Sequence, residues 1–199
     1  YGAFTQGAGG RDESPPPADK KISGQFWAEI MPKGLKPTSD IVQVSARATE
    51  TGANTFTEEQ VGLQLDVLNR EVFVVVAVDI NPALPDAVVG TDTAVNACIS
   101  TTSRTTMGFI DDSNVLATMQ EAIQIGAMPS GVGFSQSSLD SPPASLDYIG
   151  IIATNDFFLS VEGTGNAGAK SASCRVWGYR ATATADIFAA LTQSELLSA

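Results

Sequence analysis

The chain contains no histidine. That removes the usual proton carrier at neutral pH and the commonest transition-metal ligand, so any chemistry must come from other side chains. Serine hydrolysis without histidine needs a lysine base. Lys170-Ser171 lies in a glycine-rich turn with no supporting pattern around it. Cys98 and Cys174 are far apart, form no metal-binding spacing, and lack a histidine to activate them. They are either two buried free thiols or one long-range disulfide. Gly163-Thr164-Gly165-Asn166-Ala167-Gly168 has the composition of a phosphate-cradling loop. It lacks the Gly-Lys-Ser/Thr ending and leads into a strand pattern, which makes it a hairpin turn. Glu58, Glu59, Asp66, Asp79 and Glu162 are acids near strands. Glycoside cleavage needs two of them at a fixed separation, and the sequence pairs none. The expectation is a protein without catalytic activity.

Hard oxygen ligands are better represented. Asp79, Asn81, Asp86 and Asp92 surround one loop, and Asp111, Asp112 and Asn114 cluster in another. Such donors suit calcium, although neither set has the spacing of an EF-hand loop. Asp79, Asn81, Asp86 and Asp92 are the candidate structural calcium ligands. Strand-end and turn chemistry accounts for the same residues without a metal. No other cofactor is implied. Phe26-Trp27 and the alternating Arg175, Trp177, Tyr179 could stack on a sugar or bury against a subunit.

The 199 residues include 11 basic and 22 acidic ones, for a net charge of −11. Phosphate binding needs a cationic face, so nucleic acid is not expected as a direct partner. An acidic surface repels its copies at low salt and is screened at high salt, as in a saline environment. No run reaches the roughly 18 apolar residues of a membrane-spanning helix. The sequence starts at Tyr1 rather than Met, as expected after removal of a preceding segment or in a fragment.

The elements that must position these groups read as strands. Val72 to Ile80 (VFVVVAVDI) is β-branched and aromatic on both alternating faces, so it belongs in the middle of the fold with a cover on each side. Phe73 and Val75 lie on its shorter apolar row and are the residues expected to meet a second cover. Ile41–Thr49 and Val61–Val67 alternate apolar with polar, as do Thr93–Met107 and Ser173–Ala183. Ile22–Met31, Tyr148–Thr154 and Phe157–Glu162 complete the strand set. Asn69-Arg70 reads either as a hairpin turn into the central run or as a bulge in one long strand. Ser113–Gln124, with Val115, Met119, Ala122 and Ile123 on one stripe, is expected to be helical. A second helix would follow Asp186, with Ile187, Phe188 and Leu191 packing back. Residues 81–92 and 131–144 read as loops. Residues 1–21 form a Gly/Pro-rich arm stiffened by Pro15, Pro16 and Pro17. The remainder, 22–199, is one antiparallel β-sandwich domain of about seven or eight strands, all-β apart from one or two short helices.

A flexible arm, about eight strands with long loops, a short helix and no catalytic set resembles the single jelly-roll capsid proteins of tailless viruses. The resemblance is architectural, covers residues 22–199, and rests on no short motif. It implies a non-enzymatic self-assembling shell subunit located in the virion. Its partners would be copies of itself and other shell proteins. Tyr1, Phe4 and Pro15 to Pro17 would make assembly contacts, as would Phe73, Val75, Trp177 and Tyr179. The negative charge departs from capsid proteins whose arms bind nucleic acid, and suits a shell separated from the genome. Two other expectations stand beside it. One is an extracellular filament or surface-layer subunit that donates its N-terminal strand. The other is a secreted carbohydrate-binding module.

Overall fold

A computed structural model of the protein describes residues 33–125, 131–137 and 147–197. The arm with Tyr1, Phe4, Pro15, Pro16 and Pro17, and the strand expected at Ile22–Met31, lie outside the described residues.

Two antiparallel sheets carry the fold. Its strands are β1 (Leu35–Pro37), β2 (Val42–Thr49), β3 (Thr57–Gly62), β4 (Glu71–Pro82), β5 (Thr93–Ser100), β6 (Val115–Ile125), β7 (Gly131–Ser137), β8 (Gly150–Ile152), β9 (Asp156–Thr164) and β10 (Ser171–Ala183). The closing helix is α1 (Ala185–Leu197). The first sheet runs β2-β10-β4-β8, with β1 continuing the β2 edge along β10. The second runs β3-β9-β5-β6-β7. With β1 and β7 set aside, the first principal strand pairs with the last, the second with the seventh, and so inward. That nesting of β2/β10, β3/β9, β4/β8 and β5/β6 is the jelly roll.

The apolar run forms β4, and it is covered on both faces within the chain. Phe73, Val75, Val78 and Ile80 join the inter-sheet core with Val95, Ala97, Ile99, Phe157, Leu159, Val161 and Val176. Val72 and Val74 face the other way, into a second cluster with Leu35, Ala181, Ala183 and the α1 side chains Ile187, Phe188 and Leu191. A uniform strand cannot place 73 and 75 on the same face as 78 and 80. The register shows how it is done: Trp177 opposes Ala77 while Gly178 opposes Val75, so Val76 is an extra residue that reverses the alternation. The second cover is therefore the helix, and it lies over Val72 and Val74. Phe73 and Val75 are buried in the core, which removes them from the surface available for assembly.

Several other expectations are corrected. Ser113–Gln124 is not a helix, because Val115–Ile123 pairs with β5 and the end of the same strand pairs with β7. The strand expected at Val61–Val67 ends at Gly62; Leu63 and Leu65 are buried as irregular backbone, and Val67–Asn69 is a turn of 3-10 helix. Asn69-Arg70 is neither hairpin nor bulge, since β3 and β4 belong to different sheets, and Arg70 ends the 3-10 turn at φ +56°. Gly131–Ser137, within the expected loop 131–144, is the edge strand of the second sheet. Helix α1 begins a little ahead of Asp186, which sits in its first turn, while the Thr184 carbonyl accepts from Phe188 N–H.

Gly178 fills its place opposite the bulge because a Cβ there would overlap the Val74 carbonyl and the Phe73 ring. Gly178→Ala should therefore cost about 1–3 kcal/mol, the usual penalty for overpacking a core. Gly168→Ala, which meets nothing within 4 Å, should be close to neutral. Equilibrium urea unfolding of the two variants checks the contrast.

Candidate functional site

Loop ends gather most of the side chains that could do chemistry. At one end, the segments following β2, β4 and β9 meet in a polar network. The Glu50 carboxylate is buried and accepts from Thr55 N at 3.0 Å, Gly163 N at 2.6 Å and Lys170 N at 2.6 Å. Asn54 and Asn166 exchange side-chain-to-backbone bonds in both directions. Asn166 also accepts from Asp86 N and donates to the Ala94 carbonyl. Asp86 binds the Lys170 ammonium at 2.6 Å and accepts from Ala167 N and Gly168 N. The Lys170 contact, together with these backbone donors, holds the Asp86 carboxyl below its usual range against a smaller effect of burial.

This network disposes of two sequence candidates. Lys170 is an ion-pair partner of Asp86 rather than a base beside Ser171. The proposed calcium set is also not brought together. Asp86 is engaged by Lys170, and Asp92 accepts from Ile125 N. Asp79 is exposed on β4 opposite Arg175, and Asn81 receives Ser173 Oγ on its backbone carbonyl. Among the described residues, no three of the Asp, Glu and Cys side chains converge to hold a metal ion.

At the opposite end, residues 101–114 fold over the outer face of the second sheet. Cross-strand pairing lines up Glu58, Ser160, Cys98 and Thr118 in one row beneath that loop. Arg104 clamps the loop, donating to Asn114 Oδ1 at 2.7 Å and Asp112 Oδ2 at 2.8 Å. Glu58 accepts from Ser103 Oγ at 2.6 Å and Arg104 N at 2.8 Å. Asp111, Asp112 and Asn114 thus belong to a turn, with Asp112 and Asn114 bound to Arg104. Cys98 is fully buried in this row on the outer face of the second sheet, whereas Cys174, on β10 of the first sheet, faces the inter-sheet core; both are free thiols. Burial pushes the Cys98 thiol up and the Cys174 thiol up to about 11, so neither is a reactive thiolate at neutral pH.

The remaining sequence candidates lie on the outer face of the first sheet. Tyr179 packs into the cluster under α1. Trp177 is half-buried beyond the helix, with the Arg175 guanidinium 5.5 Å from its ring centroid. The structure thus separates the nine assembly candidates. Two are core, Tyr179 is beneath the helix, Trp177 remains accessible in part, and the five arm residues lie outside the described residues.

Two features escaped sequence reading. Leu68 is 96% exposed at the tip of the 3-10 turn. That turn is fixed by Asp66, which accepts from both Asn69 N and Asn69 Nδ2, and by left-handed Arg70. Phe109 and Ile110 are also exposed, on a turn where Asp112 accepts from Phe109 N at 3.0 Å. Both turns lie at the same end of the sandwich, following β3 and β5. The second feature is a cleft of about 240 Å³ between the start of β6, β8 and the last turns of α1, with Glu195 in its wall.

The Asp86 contribution has a definite sign. Its folded value is depressed, so its stability is present above the ordinary value of 3.8 and is lost as pH falls through the folded value. Thermal melts between about pH 2 and pH 7 should show Asp86→Asn less stable than wild type at neutral pH, with the two converging in acid. Parallel curves would contradict the ion pair.

No family model matches the chain, and no curated protein matches its sequence.

Proposed function

We propose that the protein is a non-enzymatic, self-assembling structural subunit, in the first place a viral shell protein. The observation that carries this reading is the pair of apolar tips, Leu68 and Phe109-Ile110, at one end of a jelly roll. Single exposed apolar residues are ordinary. These stand on turns already hydrogen-bonded in place, so little ordering entropy remains to be lost when a neighbour covers them. Leu84 and Val89 are exposed at the opposite end, which suits a subunit with neighbours on more than one side. The carboxylates available for acid–base work are spent on structure: Glu50, Glu58, Asp66, Asp86 and Asp112 each accept bonds that fix a turn. At a net charge of −11, contact between copies is opposed at low ionic strength and strengthened by screening.

A second reading, the filament, has one observation in its favour. Strand β7 is the edge of the second sheet, and Val132 and Phe134 on it are exposed. An edge of this kind accepts an added strand from another chain.

Electron microscopy and light scattering of the purified protein at rising salt should show closed particles. Leu68→Asp and Phe109→Asp should each abolish them while leaving the melting temperature nearly unchanged. Fibres sensitive to Phe134→Asp would favour the filament, and a monomer at all salt concentrations would remove both.

A further inference from the structure

One sheet edge lacks the features that keep an edge from pairing with another chain. Such features are shortness, charge, proline and bulges. Strand β8 is three residues long. Strand β1, which continues the β2 edge, is equally short and holds Lys36 and Pro37. Strand β2 carries Arg47, and β3 carries Glu58 and Glu59. Strand β7 has none of these. Its seven residues, Gly131-Val132-Gly133-Phe134-Ser135-Gln136-Ser137, hold no charge and no proline. It pairs with Met119–Ile125 of β6 without a shift in register, and with no other strand among the described residues. The backbone N–H and C=O groups on its outer side thus have no strand to bond among those residues. Residues 131–136 are exposed, with Val132 at 59% and Phe134 at 52%.

The sequence of β7 suits a second copy of itself. Turned antiparallel about Phe134, the seven residues all remain paired. Phe134 then meets Phe134, Val132 meets Gln136, and Gly133 meets Ser135 of the other chain. Alternation puts Val132, Phe134 and Gln136 on one face, shared with Gln124, Ala122 and Gln120 of β6. On that face the two phenyl rings form a cross-strand aromatic pair, with each Val132 diagonal to the opposite ring. Charge favours the same choice. At a net charge of −11 contact between copies is opposed, but this edge brings no like charges together. Glu121 is the one charged residue of β6 and lies opposite Ser135, on the other face. Across the contact the two Glu121 residues would stand three strand spacings apart, about 14 Å. That exceeds the screening length of about 8 Å at physiological salt.

We propose that two copies join through β7, antiparallel about a two-fold axis at Phe134, merging their five-stranded sheets into one. A contact of this kind closes on itself, so it yields a dimer and leaves the Leu68 and Phe109-Ile110 tips for other neighbours. The pairing goes beyond the shell reading and stands whether or not particles form. It competes with strand donation, because a second β7 occupies the edge that a donated strand would need.

Disulfide trapping tests the register. Cys98 and Cys174 are buried, so a cysteine placed on β7 reports alone. Phe134→Cys, oxidised with glutathione disulfide in about 0.5 M sodium chloride to screen the net charge, should run mostly as a disulfide-linked dimer. Peptide mapping should find the bond between the two introduced cysteines. Val132→Cys is as exposed but four residues out of register with its own copy, beyond the ~7 Å that a disulfide spans. Alone it should give roughly fivefold less dimer, and mixing it with Gln136→Cys should restore the yield. Adding Leu68→Asp to Phe134→Cys should leave the cross-link intact, which separates this contact from the shell. In sedimentation velocity the wild type should be a dimer and Phe134→Asp a folded monomer. Should the aspartate variant not fold, the cysteine variants decide by themselves. Absence of the disulfide in Phe134→Cys overturns the proposal. So does an equal yield from Val132→Cys alone, loss of the cross-link on adding Leu68→Asp, or a wild type that is monomeric at every salt concentration.

Discussion

The need to bury β4 on both faces governs this structure. Val72, Phe73, Val74 and Val75 are all but completely removed from water. Each such side chain is worth about 1.5–3 kcal/mol, an upper figure because the unfolded chain is not fully extended. No single sheet face can receive all four. The inter-sheet core takes Phe73 and Val75, and α1 exists to take Val72 and Val74. The extra residue at Val76 then returns Val78 and Ile80 to the core for the second half of the strand. Gly178 is the counterpart of that adjustment on β10, since the Phe73 ring occupies the space where its side chain would be.

Covering half of the outer face with a helix has consequences for the other half. Beyond α1 the first sheet presents Gln43, Trp177 and Ala77 in one cross-strand row, and Ser45, Arg175 and Asp79 in the next. Helix and bulge thus divide one sheet into a dry end and an end with Trp177 half-buried. The same helix closes the cleft at Glu195, because its stripe of Ile187, Phe188, Leu191 and Glu195 lies on the sandwich and the last member is a carboxylate. That cleft is a by-product of the cover that β4 demands.

How much of this was legible depended on whether a segment's partner was local. The strength of Val72–Ile80 and the alternation of Ser173–Ala183 identified the two longest strands, because their burial is written in side-chain type. Ile187, Phe188 and Leu191 gave the helix and its buried face for the same reason. Ser113–Gln124 reads as a helix because Val115, Met119, Ala122 and Ile123 match helical spacing, while its pairing with β5 is invisible locally. Thr118 and the two β-branched ends were the only hints of strand. The bulge at Val76 left no mark, since valine stands on either side of it. Strict alternation therefore puts Phe73 and Val75 under the second cover, whereas the structure puts them in the inter-sheet core. Acids near strand ends suggested calcium, and the lysine that binds Asp86 comes from a turn 84 residues away. Glu195 looked like any polar residue near a helix end.

The polar ends and the apolar tips are two results of one arrangement. A jelly roll joins its two sheets by crossing connections at both ends, and those connections have no sheet to satisfy their backbone groups. Here carboxylates and amides do so: Glu50 and Asn166 at one end, Glu58, Asp66 and Asp112 at the other. Each such bond rigidifies a turn, and a rigid turn can hold a leucine or phenylalanine in water without letting it fold back. An acidic composition that looks like a solubility device is thus, at these positions, also what holds the apolar tips in place. Under the proposed assembly, the excess negative charge would keep copies apart at low salt and the fixed apolar tips would supply the contact once that charge is screened. An assembly of the kind proposed above would on this account be reversible and salt-dependent.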